Sequence, residues 1–190
     1  MGLVPSLGMS PSPRSRTHSG ESKMSRWSGA LFLAFLVVAD QATKLLALAH
    51  LDPSPEGPAV RIVRGAVYLK LSTNPGGVWG LLEGVGPTFF VIATAVVVVW
   101  LAILLLWLRE ADRRFALPLL LLLGGFVGNG IDRVRLGYVV DFIYMTWYSR
   151  TMISTFNIAD LAILIGLLWV IGLSLGRAIL SRRPAQSGAG

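Results

Sequence analysis

PTFFVIATAVVVVWLAILLLW, the sequence of residues 87–107, contains no charged side chain. A helix of about 20 apolar residues is long enough to cross the roughly 30 Å hydrocarbon layer of a bilayer. The rest of the chain agrees, because 54% of its 190 residues are hydrophobic, 14% are charged and the mean hydropathy is +0.66. This composition excludes an average soluble domain and indicates an integral membrane protein.

Windows of the same length predict four spans in total. They run from Trp27 to Ala47, Pro87 to Trp107, Phe115 to Val134 and Ile158 to Leu180. We therefore predict an all-α integral membrane protein with four transmembrane helices, in which residues 25–182 form the membrane domain. Residues 1–24 are rich in Ser, Pro, Gly and Arg and are expected to be a disordered extension, and residues 183–190 a flexible tail. Met24 could also be the first residue of the protein, and the sequence leaves this question open.

The basic residues predict the orientation of the spans. With the N-terminus inside, ten basic residues are cytoplasmic and six are in outer loops, and the short turn between Arg109 and Arg114 is dense in arginine. The positive-inside rule then places both termini in the cytoplasm. The net charge of +7 does not indicate nucleic acid as a partner, because the arginines are scattered beside apolar segments.

The two outer segments differ in pattern. In the first, about residues 48–86, two runs that alternate apolar and polar residues flank Arg64-Gly65, which predicts a hairpin and a small extracytoplasmic β-sheet on this loop. The second, residues 137–155, contains aromatic residues that suit the headgroup interface: Phe142, Tyr144, Trp147 and Tyr148.

Polar residues with helical spacing occur in three of the spans. The sets are Asp40, Thr43 and Lys44; Asn129, Asp132 and Arg133; and Asn157 and Asp160. The spacing places each set on one face of its helix. Because an ionisable group in a span costs about 2.5 to 3.5 kcal/mol, several together need a reason. With the predicted orientation all three sets lie in the outer leaflet, which predicts a site open to the outer face.

Structural roles fit several of these residues as well as functional ones. Asp40 and Lys44 have the i, i+4 spacing of an ion pair within one helix. Asp132 and Arg133 could also form an ion pair, or their side chains could extend to the membrane–water interface. The third span also contains small residues that permit close helix packing: Gly124, Gly125, Gly128 and Gly130.

A structural role fits Asp141 and Asp160 least, because both lie in apolar surroundings without a basic residue nearby in sequence. Their pKa values should be raised, and at close range they would share one proton. We expect them within hydrogen-bonding reach, directly or through one water. Such a pair hydrolyses peptides by acid–base catalysis. Divalent metal binding is the alternative, with Asp132 as a further ligand, although it lies beside Arg133.

Other catalytic chemistries have few candidate residues. The chain has no cysteine, and its two histidines lack metal-ligand spacing. We therefore predict neither a metal nor a cofactor.

Several motifs together closely resemble the signature of the bacterial lipoprotein signal peptidases, also called signal peptidase II. The motifs are DQATK at 40–44, NPG at 74–76, GGFVGNGIDR at 124–133, GYVVDF at 137–142 and FNIAD at 156–160. The resemblance spans about residues 27–180 and keeps the order and spacing of the motifs. One departure follows Asn74-Pro75-Gly76, where this chain has Gly77-Val78-Trp79-Gly80 and the family usually has small residues and Phe.

The resemblance implies roles for residues that match by position. Asp141 and Asp160 match the family's catalytic aspartates. Asn74 and Gly76 match a loop that contacts the bound substrate or inhibitor. All the matches with supporting or substrate-binding roles are Asp40, Lys44, Asn74, Gly76, Asn129, Asp132, Arg133 and Asn157.

The implied activity is removal of signal peptides from prolipoproteins by cleavage before a diacylglyceryl-modified cysteine, at the outer face of the bacterial cytoplasmic (inner) membrane. The implied partners are lipid-modified prolipoproteins and membrane lipids, and we expect a monomer. Two alternatives start from the same residues. One is a small ion-coupled transporter or its subunit, which uses the intramembrane Asp and Arg residues. The other is an assembly factor whose outer sheet binds partners.

Overall fold

The protein is described from a computed structural model that covers residues 26–54, 57–76, 86–108, 110–147 and 150–181. Side chains are described within these ranges except at residues 26, 110, 111, 147 and 150–154. The expected extension 1–24, the tail 183–190 and the departure at 77–80 lie outside the described residues.

Four long helices form the membrane part of the fold. They are α1 (Arg26–His50), α2 (Pro87–Trp107), α3 (Ala116–Leu136), which follows a 3₁₀ turn at Glu110–Phe115, and α4 (Ile158–Ser181). All four are long and apolar enough to span a membrane, which confirms the four predicted spans. The bounds of α2 agree with the prediction, and α1 continues three residues beyond it to His50.

Helix α3 lies between the other three and packs against each of them. The predicted close packing at its glycines is confirmed. A Cβ at Gly124 would lie 2.5 Å from a methyl group of Leu36 on α1, and a Cβ at Gly125 would lie 2.5 Å from the Ala159 carbonyl oxygen on α4. Real Cβ atoms do not approach other atoms so closely, so the glycines allow these helices to meet.

A four-stranded antiparallel sheet covers one end of the bundle. Its strands are β1 (Val60–Val63), β2 (Val67–Asn74), β3 (Val139–Trp147) and β4 (Arg150–Phe156), in that order across the sheet. The predicted hairpin is confirmed, with Gly65 at a φ of 75° in its turn. The small sheet was predicted on the first outer loop alone, and this location was wrong in part, because half of the sheet comes from the segment between α3 and α4.

The aromatic segment between α3 and α4 is partly core. Phe142 is only 8% exposed and packs with Ala47, Leu71 and Val140, where the sheet meets the end of α1. Tyr144 lies on the sheet beside Tyr68, with ring centroids 6.3 Å apart. The placement of Phe142 at a headgroup interface was therefore wrong. Burial on both faces explains why Val139 to Phe142 form a continuous apolar run around Asp141.

Candidate active site

The polar sets of α1, α3 and α4 meet at the sheet end of the bundle. Lys44 is 2% exposed, and its Nζ lies 2.9 Å from Oδ2 of Asp40 and 2.8 Å from Oδ2 of Asp132. It also donates to Oδ1 of Asn129 at 2.9 Å. The three ammonium protons thus have three acceptors, one from α1 and two from α3. We call Asp40, Lys44 and Asp132 the ion triad.

The ion triad corrects one sequence-based alternative and confirms another. Asp40 and Lys44 do form the i, i+4 pair on α1. Asp132 pairs with Lys44 rather than with its neighbour Arg133, because adjacent residues of a helix point about 100° apart. The carboxylate that could have been a metal ligand is thus held by an ammonium group.

Gln41 is a member of the site that sequence reasoning missed. Its Nε2 donates to the Gly128 carbonyl at 3.1 Å and to Oδ1 of Asp132 at 3.0 Å, and it also contacts Oδ2 of Asp40 at 3.2 Å. Its Oε1 accepts from Arg135. The signal that could have identified it is an amide within an apolar span beside Asp40.

Asn157 joins the ion triad to Asp141 and Asp160. It is fully buried and precedes α4, where its Oδ1 accepts from the Asp160 N–H at 2.9 Å while its own N–H donates to Oδ2 of Asp160 at 3.2 Å. This reciprocal pair is a capping box, which satisfies backbone donors at the helix start. The i, i+3 spacing of Asn157 and Asp160 has this local cause.

The side-chain amides hold the two carboxylates in place. Nδ2 of Asn157 donates to Oδ1 of Asp141 at 2.7 Å, and Nδ2 of Asn129 donates to Oδ1 of Asp160 at 2.8 Å. Asn157 also donates to Oδ1 of Asn129 at 3.1 Å, so the two amides are joined. We call Asp141 and Asp160 the carboxylate pair. Both accept hydrogen bonds from Asn157. The expected contact between the two carboxyl groups, direct or through one water, stays a prediction.

Asp141 lies on β3, outside the spanning helices, and is 2% exposed. Burial is the largest cause that raises its pKa, repulsion from Asp160 adds to it, and hydrogen bonds from Asn157 and Asn74 and the charge of Lys44 oppose it, which leaves the pKa at about 7. A carboxyl with such a pKa exchanges its proton near neutral pH. The expectation of a raised pKa is confirmed for Asp141.

A short connection positions Asp141 against the helices. Gly137 ends α3 with a φ of 81°, a left-handed conformation that favours glycine, and β3 begins two residues later. The Val140 N–H then donates to Oδ2 of Asp132 at 3.1 Å. The strand that carries Asp141 is therefore fastened to the ion triad.

The Asn74-Pro75-Gly76 turn approaches Asp141 from β2. Oδ1 of Asn74 accepts from the Gly76 N–H at 3.1 Å, and Nδ2 of Asn74 donates to Oδ2 of Asp141 at 3.5 Å. Gly76 has a φ of 126°, which only glycine adopts readily. The structure therefore brings Asn74 and Gly76 to the carboxylate pair.

Two predicted members of the polar sets take other directions. The Thr43 hydroxyl donates to carbonyls of its own helix, at Ala39 and Asp40, and so does not join the site. Arg133 lies within electrostatic reach of Asp141 and Asp160, but its guanidinium carbon lies 5.8 Å from the centre of the Phe90 ring on α2. Its Nε is buried without a hydrogen-bond partner in the described part of the chain.

The architecture and the buried carboxylates define a class, the multi-pass membrane enzymes. A solved structure described as a bacterial membrane enzyme determined by the in meso method at 2.3 Å superposes with a TM-score of 0.71 at 28% identity, over 85% of this chain and 94% of that one. A second, at 1.9 Å, gives 0.67 at 30% identity, over 79% of this chain and 94% of that one.

The sequence comparisons are more specific. Residues 32–175 match the family model described as signal peptidase (SPase) II. Proteins named lipoprotein signal peptidase from Anoxybacillus flavithermus and Chlorobium phaeobacteroides are each 37% identical, over 74% and 72% of this chain and 83% and 88% of theirs. The chain therefore belongs to the signal peptidase II family.

Proposed function

We propose that this protein is an intramembrane aspartyl endopeptidase that removes signal peptides from diacylglyceryl-modified prolipoproteins, with cleavage immediately before the lipidated cysteine. Family membership supports a signal peptidase, and the relatives' names indicate lipoproteins as substrates. The observation that carries the aspartyl mechanism is the common attachment of Asp141 and Asp160 to Asn157, with the pKa of Asp141 at about 7.

The carboxylate pair has the chemistry that peptide hydrolysis needs. With one proton between them, the ionised carboxylate takes a proton from water while the water oxygen bonds to the scissile carbonyl carbon and the protonated carboxyl donates to the carbonyl oxygen. In the second step the C–N bond breaks and the amino group of the lipidated cysteine takes a proton from the pair. The tetrahedral intermediate returns a proton, so the pair ends as it began.

The location of the pair suits a substrate with a lipid anchor. Asp160 lies in the first turn of α4 and Asp141 on the adjacent strand, so both lie where the spans meet the sheet. A lipidated cysteine next to the scissile bond would bring that bond to this depth while its acyl chains stay among lipids. We propose that this end faces the outside of the inner membrane, that both termini are cytoplasmic and that one chain holds the complete site.

The alternatives are less well supported. The family and the named relatives are peptidases, which does not favour an ion-coupled transporter. An assembly factor would keep its function after loss of both carboxylates. Loss of function in variants at Asp141 and Asp160 would therefore exclude this alternative, and retained function would favour it.

The test is processing of a diacylglyceryl-modified precursor by purified protein in lipid vesicles. Asp141→Asn and Asp160→Asn should each lower kcat by about 10³-fold or more, since neither amide can exchange the required proton. Asp52→Asn, at an exposed aspartate before the sheet, is the matched control and should process at the wild-type rate. Wild-type turnover by either active-site variant would defeat the aspartyl mechanism.

A further inference from the structure

Helix α2 differs from the other three because it brings no charged residue to the site. Only three of its described side chains are buried: Phe90, Thr94 and Leu101. Phe90 is the one at the sheet end, in the first turn of the helix, and it is 9% exposed. Its neighbour Phe89 is 51% exposed and meets the Phe90 ring edge to face, with the ring centroids 5.5 Å apart.

The Phe90 ring contacts the turn that reaches Asp141. A Cβ on Gly76 would overlap the ring, so the backbone of Gly76 lies directly against it. The Gly76 N–H donates to Asn74, and Asn74 donates to Asp141. The last bond is long at 3.5 Å, so its geometry depends on where the turn is held.

The same ring also contacts Arg133. The guanidinium carbon lies 5.8 Å from the ring centroid, within the range of a cation–π interaction. The hydrogen bonds of Arg133 are weak, since Nη1 donates to its own helix at 3.5 Å and Nε has no partner in the described residues. The ring therefore restrains this side chain together with the electrostatic attraction of Asp160, Asp141 and Asp132.

From these contacts we propose that Phe90 is a positioning residue, whose ring holds the Asn74–Gly76 turn on one side and Arg133 on the other, and so fixes the substrate side of the carboxylate pair. The activity it serves rests on the function proposed above. An aromatic ring suits this role because it offers a rigid flat surface to the glycine and a negative face to the guanidinium. Leucine at this position would keep the apolar character but neither of these properties.

The first test needs no activity: hydrogen exchange of the Gly76 amide in the full chain in lipid nanodiscs, for Phe90→Leu and for the matched control Phe35→Leu, at a phenylalanine of α1 that is 70% exposed. Exchange should be severalfold faster in Phe90→Leu than in wild type and unchanged in Phe35→Leu. Equal exchange in all three proteins would overturn the proposal, even if lipoprotein processing itself proved to be the wrong function.

The second test measures kcat and KM on a lipidated precursor. Phe90→Leu should lower kcat by about ten- to a hundredfold, because a small displacement of a catalytic array is costly. Phe90→Tyr retains the ring and should remain within about threefold of wild type by the same reasoning.

A double variant separates positioning from general loss of structure. If Phe90 acts through the turn, Phe90→Leu should cost much less in an Asn74→Ala background than alone. Fully additive effects would overturn this part of the proposal, as would a Phe35→Leu variant that loses as much kcat as Phe90→Leu. A wild-type protein that does not process the precursor would instead defeat the proposed function and leave the exchange result to decide on Phe90.

Discussion

Two groups of aspartates lie side by side in this protein and are held in different ways. In the ion triad, Asp40 and Asp132 both bind Lys44, so one ammonium charge is shared between the two carboxylates. In the carboxylate pair, Asp141 and Asp160 receive hydrogen bonds from the amides of Asn157 and Asn129. Amides orient a carboxylate without neutralising it. The difference teaches that the partner, rather than burial alone, decides whether a buried aspartate is held by a charge or by neutral hydrogen bonds, and the second case is the one that the proposed proton transfer needs.

Removal of the cation should have the largest effect on stability. Lys44→Met would leave two buried carboxylates uncompensated and should lower the free energy of unfolding by about 3 to 5 kcal/mol. Thermal unfolding in detergent micelles measures the loss, and Thr43→Val, one residue away on α1, is the control. The triple variant Asp40→Asn, Lys44→Met, Asp132→Asn should recover part of the loss. A stable Lys44→Met protein would contradict the structural role of the triad.

Added volume at Gly128 should have the next largest effect. A Cβ there would lie 2.5 Å from Oδ2 of Asp40, so Gly128→Ala must displace the ion triad and should cost about 1 to 3 kcal/mol. Gly172→Ala is the matched control on α4, where a Cβ meets nothing within 4 Å. The unfolding midpoint should fall only in Gly128→Ala. Equal midpoints would mean that the helices separate easily at this point.

The pH dependence of stability should distinguish the carboxylate pair from the triad. Because the pKa of Asp141 is raised to about 7 in the fold, mainly by burial, the fold favours the protonated group. The contribution of protonated Asp141 to the free energy of unfolding is complete below the pKa of about 4 that an aspartate has in the unfolded chain. This contribution is lost as the pH rises through 7. Unfolding midpoints of wild type should therefore fall over this range more steeply than those of Asp141→Asn. Parallel curves would show that Asp141 titrates normally.

The smallest effect is expected at Asn74. Its hydrogen bond to Asp141 opposes the rise of that pKa, so Asn74→Ala should raise the pKa further and move the acidic limb of the pH–activity profile upward. Loss of this long hydrogen bond should lower the free energy of unfolding by about 1 kcal/mol or less. Thr73→Ala, on the preceding exposed residue, is the control. A downward shift of the limb would contradict the assigned direction.

The sequence predicted the membrane fold well where the physical rule is local. The span at Pro87–Trp107 was located to the residue, because a bilayer sets both its length and its lack of charge. The hairpin at Gly65 was found from alternation and a turn signal. β3 was missed because a strand buried on both faces shows no alternation, and its pairing with β2 joins segments far apart in the chain.

For the site, the sequence by itself determined which residues are polar, that they recur at helical spacing, and that they gather at one end of the spans. Hydrophobic periodicity and the insertion cost of charge fix these features without a partner. Only the tertiary structure decided that Lys44 binds Asp132, that Gln41 donates to Asp132, that the Phe90 ring lies against Arg133, and that Asn157 contacts both carboxylates. These contacts depend on distances between helices, which small residues such as Gly128 set and which spacing within one helix does not contain.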